Sequence, residues 1–119
     1  MITRDYILRQ IRQLVQALSL VLFHRREREF DLAQNVLENT LVEALGLPLD
    51  QILALDREAL IALCTRDGAL YGDLAVAIAD LLRQADRAEA DERARWLYRA
   101  ALEAGAAVPM DVEEFLRSG

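Results

Sequence analysis

Two segments of this chain place small and large side chains in one helical register, and this repeat constrains the fold more than any other feature. In each segment a small residue is followed four positions later by a large one, and three positions after that by another small one. These residues are Ala33, Leu37 and Thr40 in the first segment and Ala94, Tyr98 and Ala101 in the second. Such spacing gives one face of an α-helix room for a neighbouring helix, so we predict helical hairpins. The register contains no reactive group and predicts no activity.

The composition indicates one helical domain. The 119 residues are 54% hydrophobic, with five Gly, two Pro and no run of β-branched residues. A chain of this size and apolar content can bury a core of its own. Because it has only three Phe, three Tyr and one Trp, Leu and Ala must supply most of the packing. We therefore predict a single all-α domain of five to seven helices over residues 1–119.

Charge is unevenly distributed along the chain. The formal net charge is −6, yet residues 1–28 carry six Arg against Asp5 and Glu27, which gives +4. The remaining 91 residues carry eight Arg against eighteen acids, which gives −10. The basic first segment can attract the acidic remainder of its own chain or of a second subunit. Since the whole chain is acidic, we do not expect a nucleic-acid partner.

The N-terminal segment resembles a secretory signal peptide only superficially. Basic residues precede the apolar stretch 14–23, but Gln16 interrupts this stretch. The segment 24–26, His-Arg-Arg, is basic where a signal peptide has small cleavage-site residues. Ten residues are also too few to span a bilayer, which requires about twenty. We therefore expect a cytoplasmic protein with no membrane association.

The residues that usually carry catalysis or metal binding are scarce. Cys64 is the only cysteine and ends the apolar run 60–64, so we predict a buried, unreactive thiol without an intrachain disulfide. One His and one Cys cannot form a Cys/His zinc site. The five glycines are too widely spaced for a phosphate- or dinucleotide-binding loop. We predict no metal, no cofactor and no enzymatic activity.

The hydrophobic pattern and the helix-end signals divide the domain into two hairpins with an insertion between them. We predict a hairpin over 3–45, an insertion over 47–66, a hairpin over 69–104 and a short helix over 111–117. The expected helices cover 3–28, 31–45, 49–53, 56–65, 69 or 73 to 88, 90–104 and 111–117. Thr3, Asp31 and Asp56 are predicted N-caps, and Gly46 is a predicted left-handed C-terminal residue. In the last helix we expect Phe115 and Leu116 to pack against Trp96.

The second half of the first helix is apolar on nearly every side. From Ala17 to Phe23 only Ser19 is polar, so we infer that this portion is covered on more than one side. In a chain this small, the extra cover must come from the 47–66 insertion, from a second subunit or from both. We predict an interface with a partner, most simply a second copy, formed by Val15, Leu18, Leu22 and Phe23.

The two hairpins resemble divergent tetratricopeptide repeats. The residues that carry the resemblance are Leu20, Val21, Phe30, Ala33, Leu37 and Thr40 in the first hairpin and Leu81, Leu82, Ala94, Tyr98 and Ala101 in the second. The chain departs from the family at Ala17 and Ile78, where the family prefers Trp, and the two copies are 61 residues apart rather than roughly 34. The resemblance implies an inner groove lined by Val15, Leu18, Leu22, Arg25, Val76, Ala79, Arg83 and Asp86.

The opening segment 5–14 also resembles the start of a family of small bacterial helical proteins of unknown function. That resemblance would cover nearly the whole chain. It implies a repeat-like helical fold and no activity.

Two functional hypotheses remain open. The first is a non-enzymatic interaction or scaffold protein that forms a homodimer through its apolar surface. The second is recognition of an acidic peptide or a phosphate-containing ligand, because guanidinium groups suit carboxylates and phosphates. The basic residues of this second site would be Arg25, Arg26, Arg28, Arg83 and Arg87.

Overall fold

The structure, a computed structural model, describes residues 2–119, with side chains described from Arg4 onward, and it confirms an all-α fold. The described residues form seven α-helices and one minimal β-hairpin. These elements are α1 (Ile2–Arg26), α2 (Phe30–Leu45), α3 (Leu49–Leu53), α4 (Arg57–Ala62), β1 (Thr65–Arg66), β2 (Ala69–Leu70), α5 (Gly72–Leu82), α6 (Ala88–Glu103) and α7 (Val112–Arg117). The predicted capping role of the Thr3 side chain lies outside the described side chains.

Helix α5 is the centre of the molecule, and α1 and α6 both pack against it. A buried stripe lies along this helix and the residues that follow it, formed by Leu74, Ala77, Ile78, Leu81 and Ala85. Ala75 and Ala79 are buried as well, because neighbours cover α5 on a second side. Ala79, which the tetratricopeptide resemblance places in an inner groove, is therefore covered by neighbours within the chain. One hydrophobic cluster joins residues from all seven helices.

Helices α1 and α2 form a hairpin with a three-residue connection. Arg28 adopts a left-handed conformation with φ 61° and reverses the chain. The amide of Ala33 already donates to the carbonyl of Glu29, at 3.0 Å, so α2 begins at Phe30. Asp31 therefore lies inside the first helical turn, and its predicted role as N-cap was wrong.

The other end of this hairpin is held by a buried amide. Gly46 follows α2 with φ 76°, and its amide donates to the carbonyl of Val42 at 2.8 Å, which confirms the predicted left-handed C-terminal residue. Gln10 of α1 is buried, and its Nε2 donates to the carbonyl of Ala44 at 2.7 Å. The side chain thereby satisfies one of the last carbonyls of α2, which have no partner within the helix.

The segment between the hairpins contains the two predicted short helices, but the second ends early. Helix α3 has the predicted bounds. The Asp56 carboxylate accepts a hydrogen bond from the amide of Ala59 at 2.8 Å, which confirms the predicted N-cap of α4. Helix α4 ends at Ala62 rather than continuing to Thr65.

A β-hairpin that we did not predict follows α4. Thr65 pairs with Leu70, and Arg66 pairs with Ala69, in antiparallel register. The turn residues Asp67 and Gly68 have φ values of 54° and 78°. Two consecutive positive φ values suit a two-residue hairpin turn, and Asp-Gly is a preferred sequence for it. Residues 69–70 are therefore strand, and the alternative start of the next helix at 69 was wrong.

Helices α5 and α6 are separated by a tight turn. A 3-10 turn over Arg83–Ala85 follows α5, and Asp86 ends it with φ 57°, so the predicted continuation to residue 88 was wrong. Helix α6 ends in a Schellman arrangement, in which Gly105 has φ 83° and the amide of Ala106 donates to the carbonyl of Ala101 at 2.9 Å.

The C-terminal helix α7 packs on α6 through an aromatic pair. The rings of Phe115 and Tyr98 meet edge to face, with centroids 5.8 Å apart. Trp96 instead lies beneath the guanidinium of Arg93, 4.7 Å from the ring centroid. The aromatic contact of Phe115 is thus with Tyr98 rather than with Trp96.

The start of α5 touches the segment that follows α6. A Cβ atom built on Gly72 would lie 2.6 Å from the Cβ of Ala106, which is too close for two carbon atoms. Glycine is therefore required at position 72 for close approach and not for an unusual backbone angle.

We expect the substitution Gly72→Ala to destabilise the fold. Overpacking costs about 1–3 kcal/mol, and the lower entropy of the unfolded chain offsets about 0.4–1 kcal/mol of this. The net loss, about 1 kcal/mol, is measurable as a lower free energy of unfolding in urea.

The matched control is the double variant Gly72→Ala/Ala106→Gly, compared with Ala106→Gly alone. Moving the methyl group from one side of the contact to the other should restore much of the stability. An unchanged free energy of unfolding for Gly72→Ala would contradict the steric interpretation.

Candidate interaction surface

A row of apolar side chains lies along the surface of α1, and we call it the α1 row. It comprises Leu8, Ile11, Val15, Leu18 and Leu22. The exposed fractions of Leu8, Val15 and Leu22 are 46%, 52% and 40%. Ile11 and Leu18 are half-buried against the core. The alternating spacing of three and four residues is the pattern that two packed helices share along a seam.

The α1 row arises because α1 carries two adjacent apolar faces. The buried stripe consists of Ile7, Leu14 and Val21. Each strongly exposed member of the α1 row follows one of these residues by one position. One residue corresponds to about 100° around a helix, so the exposed set lies beside the buried stripe and not opposite it. One apolar face of α1 is used by the fold and the other is not.

The segment between the hairpins does not cover the α1 row. Helix α3 packs against α2 and α6, and α4 packs against α6 and β1. With this segment in place, Val15 and Leu22 stay exposed. The sequence left two possible covers for this surface, the insertion and a second subunit. The insertion is therefore excluded as the cover of Val15 and Leu22.

The structure brings three of the four predicted interface residues together. Val15, Leu18 and Leu22 belong to the α1 row, whereas Phe23 lies about 100° around the helix from Leu22. The Phe23 ring is exposed and meets the His24 ring edge to face, with centroids 5.5 Å apart. Our sequence-based set omitted Leu8 and Ile11, although the seven-residue spacing from Leu8 to Val15 and Leu22 could have indicated them.

One acidic residue at the start of α5, Asp73, borders the α1 row. Arg4 and Leu8 of α1 and Asp73 of α5 line one cleft of about 450 Å³. A helix lying on the α1 row would thus pass close to the Asp73 carboxylate.

Among the arginines of the alternative hypothesis, Arg83 already has an acidic partner within the chain. Its guanidinium donates to both carboxylate oxygens of Asp111, at 3.3 and 2.8 Å, and stacks 4.2 Å from the ring centroid of Phe115. This ion pair keeps the pKa of Asp111 below its ordinary value of 3.8. The pair connects the end of α5 to the start of α7.

A second carboxylate lies next to Arg83. The Tyr98 hydroxyl donates to Asp80. Burial raises the pKa of Asp80, while the Tyr98 hydrogen bond and the Arg83 charge act in the opposite direction. Burial, followed by the hydrogen bond to Asp80, raises the pKa of Tyr98. Asp80, Tyr98, Arg83 and Asp111 therefore form one polar network that joins α5, α6 and α7.

The other arginines of the alternative site are dispersed. Arg87 donates to Asp50 and to Glu89, at 3.1 Å in each case. Arg25 donates to the carbonyl of Gln84 at 2.8 Å. Arg26 and Arg28 are exposed near the end of α1. Arg25, Arg83 and Arg87 thus already make hydrogen bonds within the chain.

Cys64 is fully buried, and burial raises the pKa of its thiol to about 12. At neutral pH the group is a protonated thiol, which is the unreactive form. The predicted buried thiol is confirmed.

We expect Asp111→Ala to lower the free energy of unfolding at pH 7 by about 1 kcal/mol, because it removes a bidentate ion pair to a half-buried arginine. Since the folded-state pKa of Asp111 is depressed, this stabilisation is present above pH 3.8 and is lost as pH falls through the folded-state value. Urea unfolding of the wild type and of Asp111→Ala, at pH 7 and at pH 2, measures the difference in the free energy of unfolding.

An exposed ion pair on the same helix serves as the control. Glu113 and Arg117 are 3.9 Å apart and both largely exposed. Glu113→Ala should change the free energy of unfolding by less than about 0.5 kcal/mol. Equal effects of the two substitutions at pH 7 would show that Asp111 adds nothing beyond an ordinary surface charge.

Searches of the described residues reveal neither a metal site nor a membrane span. No group of three or more His, Cys, Asp or Glu side chains within 2–119 is arranged to hold a metal ion. No helix in the same range is both long and apolar enough to cross a membrane. Comparisons with protein-family models, with curated proteins and with solved structures yield no match for this chain.

Proposed function

We propose that this chain is a non-enzymatic protein–protein interaction module that forms a homodimer through the α1 row. The observation that carries the proposal is the exposure of Leu8, Val15 and Leu22 in a single line, flanked by half-buried Ile11 and Leu18. Scattered single apolar residues are common on protein surfaces, but a continuous line of them marks an interaction site.

The α1 row can supply useful binding energy. Fully burying a Leu or Val side chain stabilises by about 1.5–3 kcal/mol, so a side chain that starts half-exposed contributes about 1 kcal/mol. The row also lies on a regular helix that is anchored along its length by α2 and α5. An interface on a rigid element loses little conformational freedom on binding.

Charge favours a second copy as the occupant of the α1 row. The segment 1–28 that carries the row has a net charge of +4, while the rest of the chain has −10. A second copy brings its own basic α1 against a surface bordered by Asp73 of α5, which lines the same cleft as Leu8. Complementary charge of this kind speeds association and selects the partner.

The proposal predicts a dimer that one surface substitution dissociates. At tens of micromolar, light scattering should give twice the monomer mass of 13.4 kDa. Val15→Arg would bury two cations in an apolar interface, so we expect the dissociation constant to rise at least tenfold, which corresponds to about 1.4 kcal/mol. Because position 15 is exposed in the monomer, the helical circular dichroism spectrum should not change.

Leu20→Arg is the matched control. Leu20 is 45% exposed on the same helix but lies about 140° around it from Val15. This variant should remain a dimer. A wild-type mass close to that of the monomer would refute the proposed homodimer, and equal dissociation by both variants would place the interface elsewhere.

A further inference from the structure

Two arginines lie against the aromatic ring of the C-terminal helix α7. Arg83, directly after α5, pairs with Asp111, and its guanidinium carbon lies 4.2 Å from the centroid of the Phe115 ring. The guanidinium carbon of Arg95, on α6, lies 4.5 Å from the same centroid. The Tyr98 ring meets Phe115 edge to face. Because the face of an aromatic ring attracts cations, Phe115 contributes to docking through charge as well as through burial.

The last carbonyls of α7 accept hydrogen bonds from α6. Arg95 Nε donates to the carbonyl of Phe115 at 3.1 Å, and Arg99 donates to the carbonyl of Leu116 at 3.4 Å. Carbonyls in the last turn of a helix have no partner within the helix, and guanidinium groups there can satisfy them. These two contacts involve only backbone oxygens, so any helix that ends at this point can make them.

Helix α7 is attached by few contacts. Val112 is its one buried residue, and Phe115 and Leu116 are half-buried. No residue of the connection 104–111 is buried. An isolated helix needs about 12–15 residues to be stable in water, so the six-residue α7 is helical because it is docked. If α7 left its surface, the core would lose one fully buried side chain.

Without α7, its docking surface would carry cations that lack acidic partners. Within the described residues, Arg83 forms an ion pair only with Asp111, and Arg95 forms none. Both guanidinium groups lie close to the Phe115 ring and therefore close to each other, where like charges repel. Asp80, the other carboxylate near Arg83, already accepts a hydrogen bond from α6. A carboxylate and an aromatic ring together suit this surface.

We infer that this surface is a second interaction site, separate from the α1 row, and that α7 occupies it as an exchangeable intramolecular ligand. The partner that fits is a segment of another protein that docks as a short helix, with a carboxylate four residues before an aromatic ring. Asp111 and Phe115 have this spacing, and residues four apart lie on the same face of a helix. Docked α7 blocks the site, so the partner must compete with it.

A segment of another protein, rather than of a second copy, is the occupant that can displace α7. The tethered α7 binds at a high effective concentration, because the connection 104–111 is short. A second copy offers an identical segment, which makes the same contacts without this advantage. A segment of another protein can add contacts outside this surface and thereby displace α7.

Peptide binding to the full chain tests the exchange. The probe is a fluorescently labelled peptide of residues 107–119, and its binding is measured by fluorescence anisotropy. The full-length variant Phe115→Ala lacks the ring that holds its own α7. We expect it to bind the peptide about tenfold or more tightly than the wild-type chain, in which α7 competes. Asp111→Ala should shift the affinity in the same direction by a smaller factor.

The controls are matched to the site. Glu113→Ala changes an α7 residue whose carboxylate lies near Arg117 of the same helix, so this variant should bind the peptide as weakly as the wild type. A peptide that carries Phe115→Ala should bind none of the chains. Adding Arg83→Ala to the Phe115→Ala chain should weaken peptide binding about tenfold. Circular dichroism of each chain reports whether its helices stay folded.

Each result has a defined meaning. Tight binding by Phe115→Ala, with weak binding by the wild type and by Glu113→Ala, supports the inference. Equal affinities of the wild type and Phe115→Ala overturn it, and so does unfolding of both Phe115→Ala and Asp111→Ala, since α7 would then be an integral part of the core. Dissociation of a wild-type dimer by the peptide, measured by light scattering, overturns it in favour of α7 exchange between copies. Because the site contains no residue of α1, a failure here leaves the proposed α1 interface standing.

Discussion

The structure depends on the close packing of α5 between α1 and α6. This helix is short, and seven of its eleven residues are buried. It can be enclosed so tightly because three of those seven, at 75, 77 and 79, are alanines, and because Gly72 lets the segment after α6 touch its first turn. Small side chains allow the axes of neighbouring helices to lie closer together. The closer packing keeps the interior dense without large side chains. The two hairpins are thereby held as one hydrophobic cluster.

The same packing explains why α1 has an apolar face to spare. Helices α2 and α5 contact α1, and the stripe of Ile7, Leu14 and Val21 is buried. The polar network around Arg83 connects α7 to α5 and α6. Within the described chain, no element covers Leu8, Val15 and Leu22 of the α1 row.

Features set by a few neighbouring residues were predictable from sequence, and those set by distant contacts were not. The roles of Gly46 and Asp56 at the ends of helices were predicted correctly, because they depend on residue type and on nearby residues. The hairpin at 65–70 was missed because two-residue strands carry no periodic pattern. The pairing of Arg83 with Asp111 joins residues 28 apart, which spacing alone does not indicate. The α1 row was only partly predicted, because periodicity shows which residues are apolar but not which face the fold leaves open. The likeness to tetratricopeptide repeats stays a prediction.

The buried Gln10 has a consequence for how α1 presents itself to a partner. Its amide reaches the carbonyl of Ala44 near the end of α2. If α1 moved or rotated by one residue against α2, the hydrogen bond between this buried amide and carbonyl would break, at a cost of about 1–3 kcal/mol. Leucine and alanine contacts alone tolerate such sliding far better. One amide therefore fixes the axial register of the hairpin, and Leu8, Val15 and Leu22 meet an incoming helix at fixed heights.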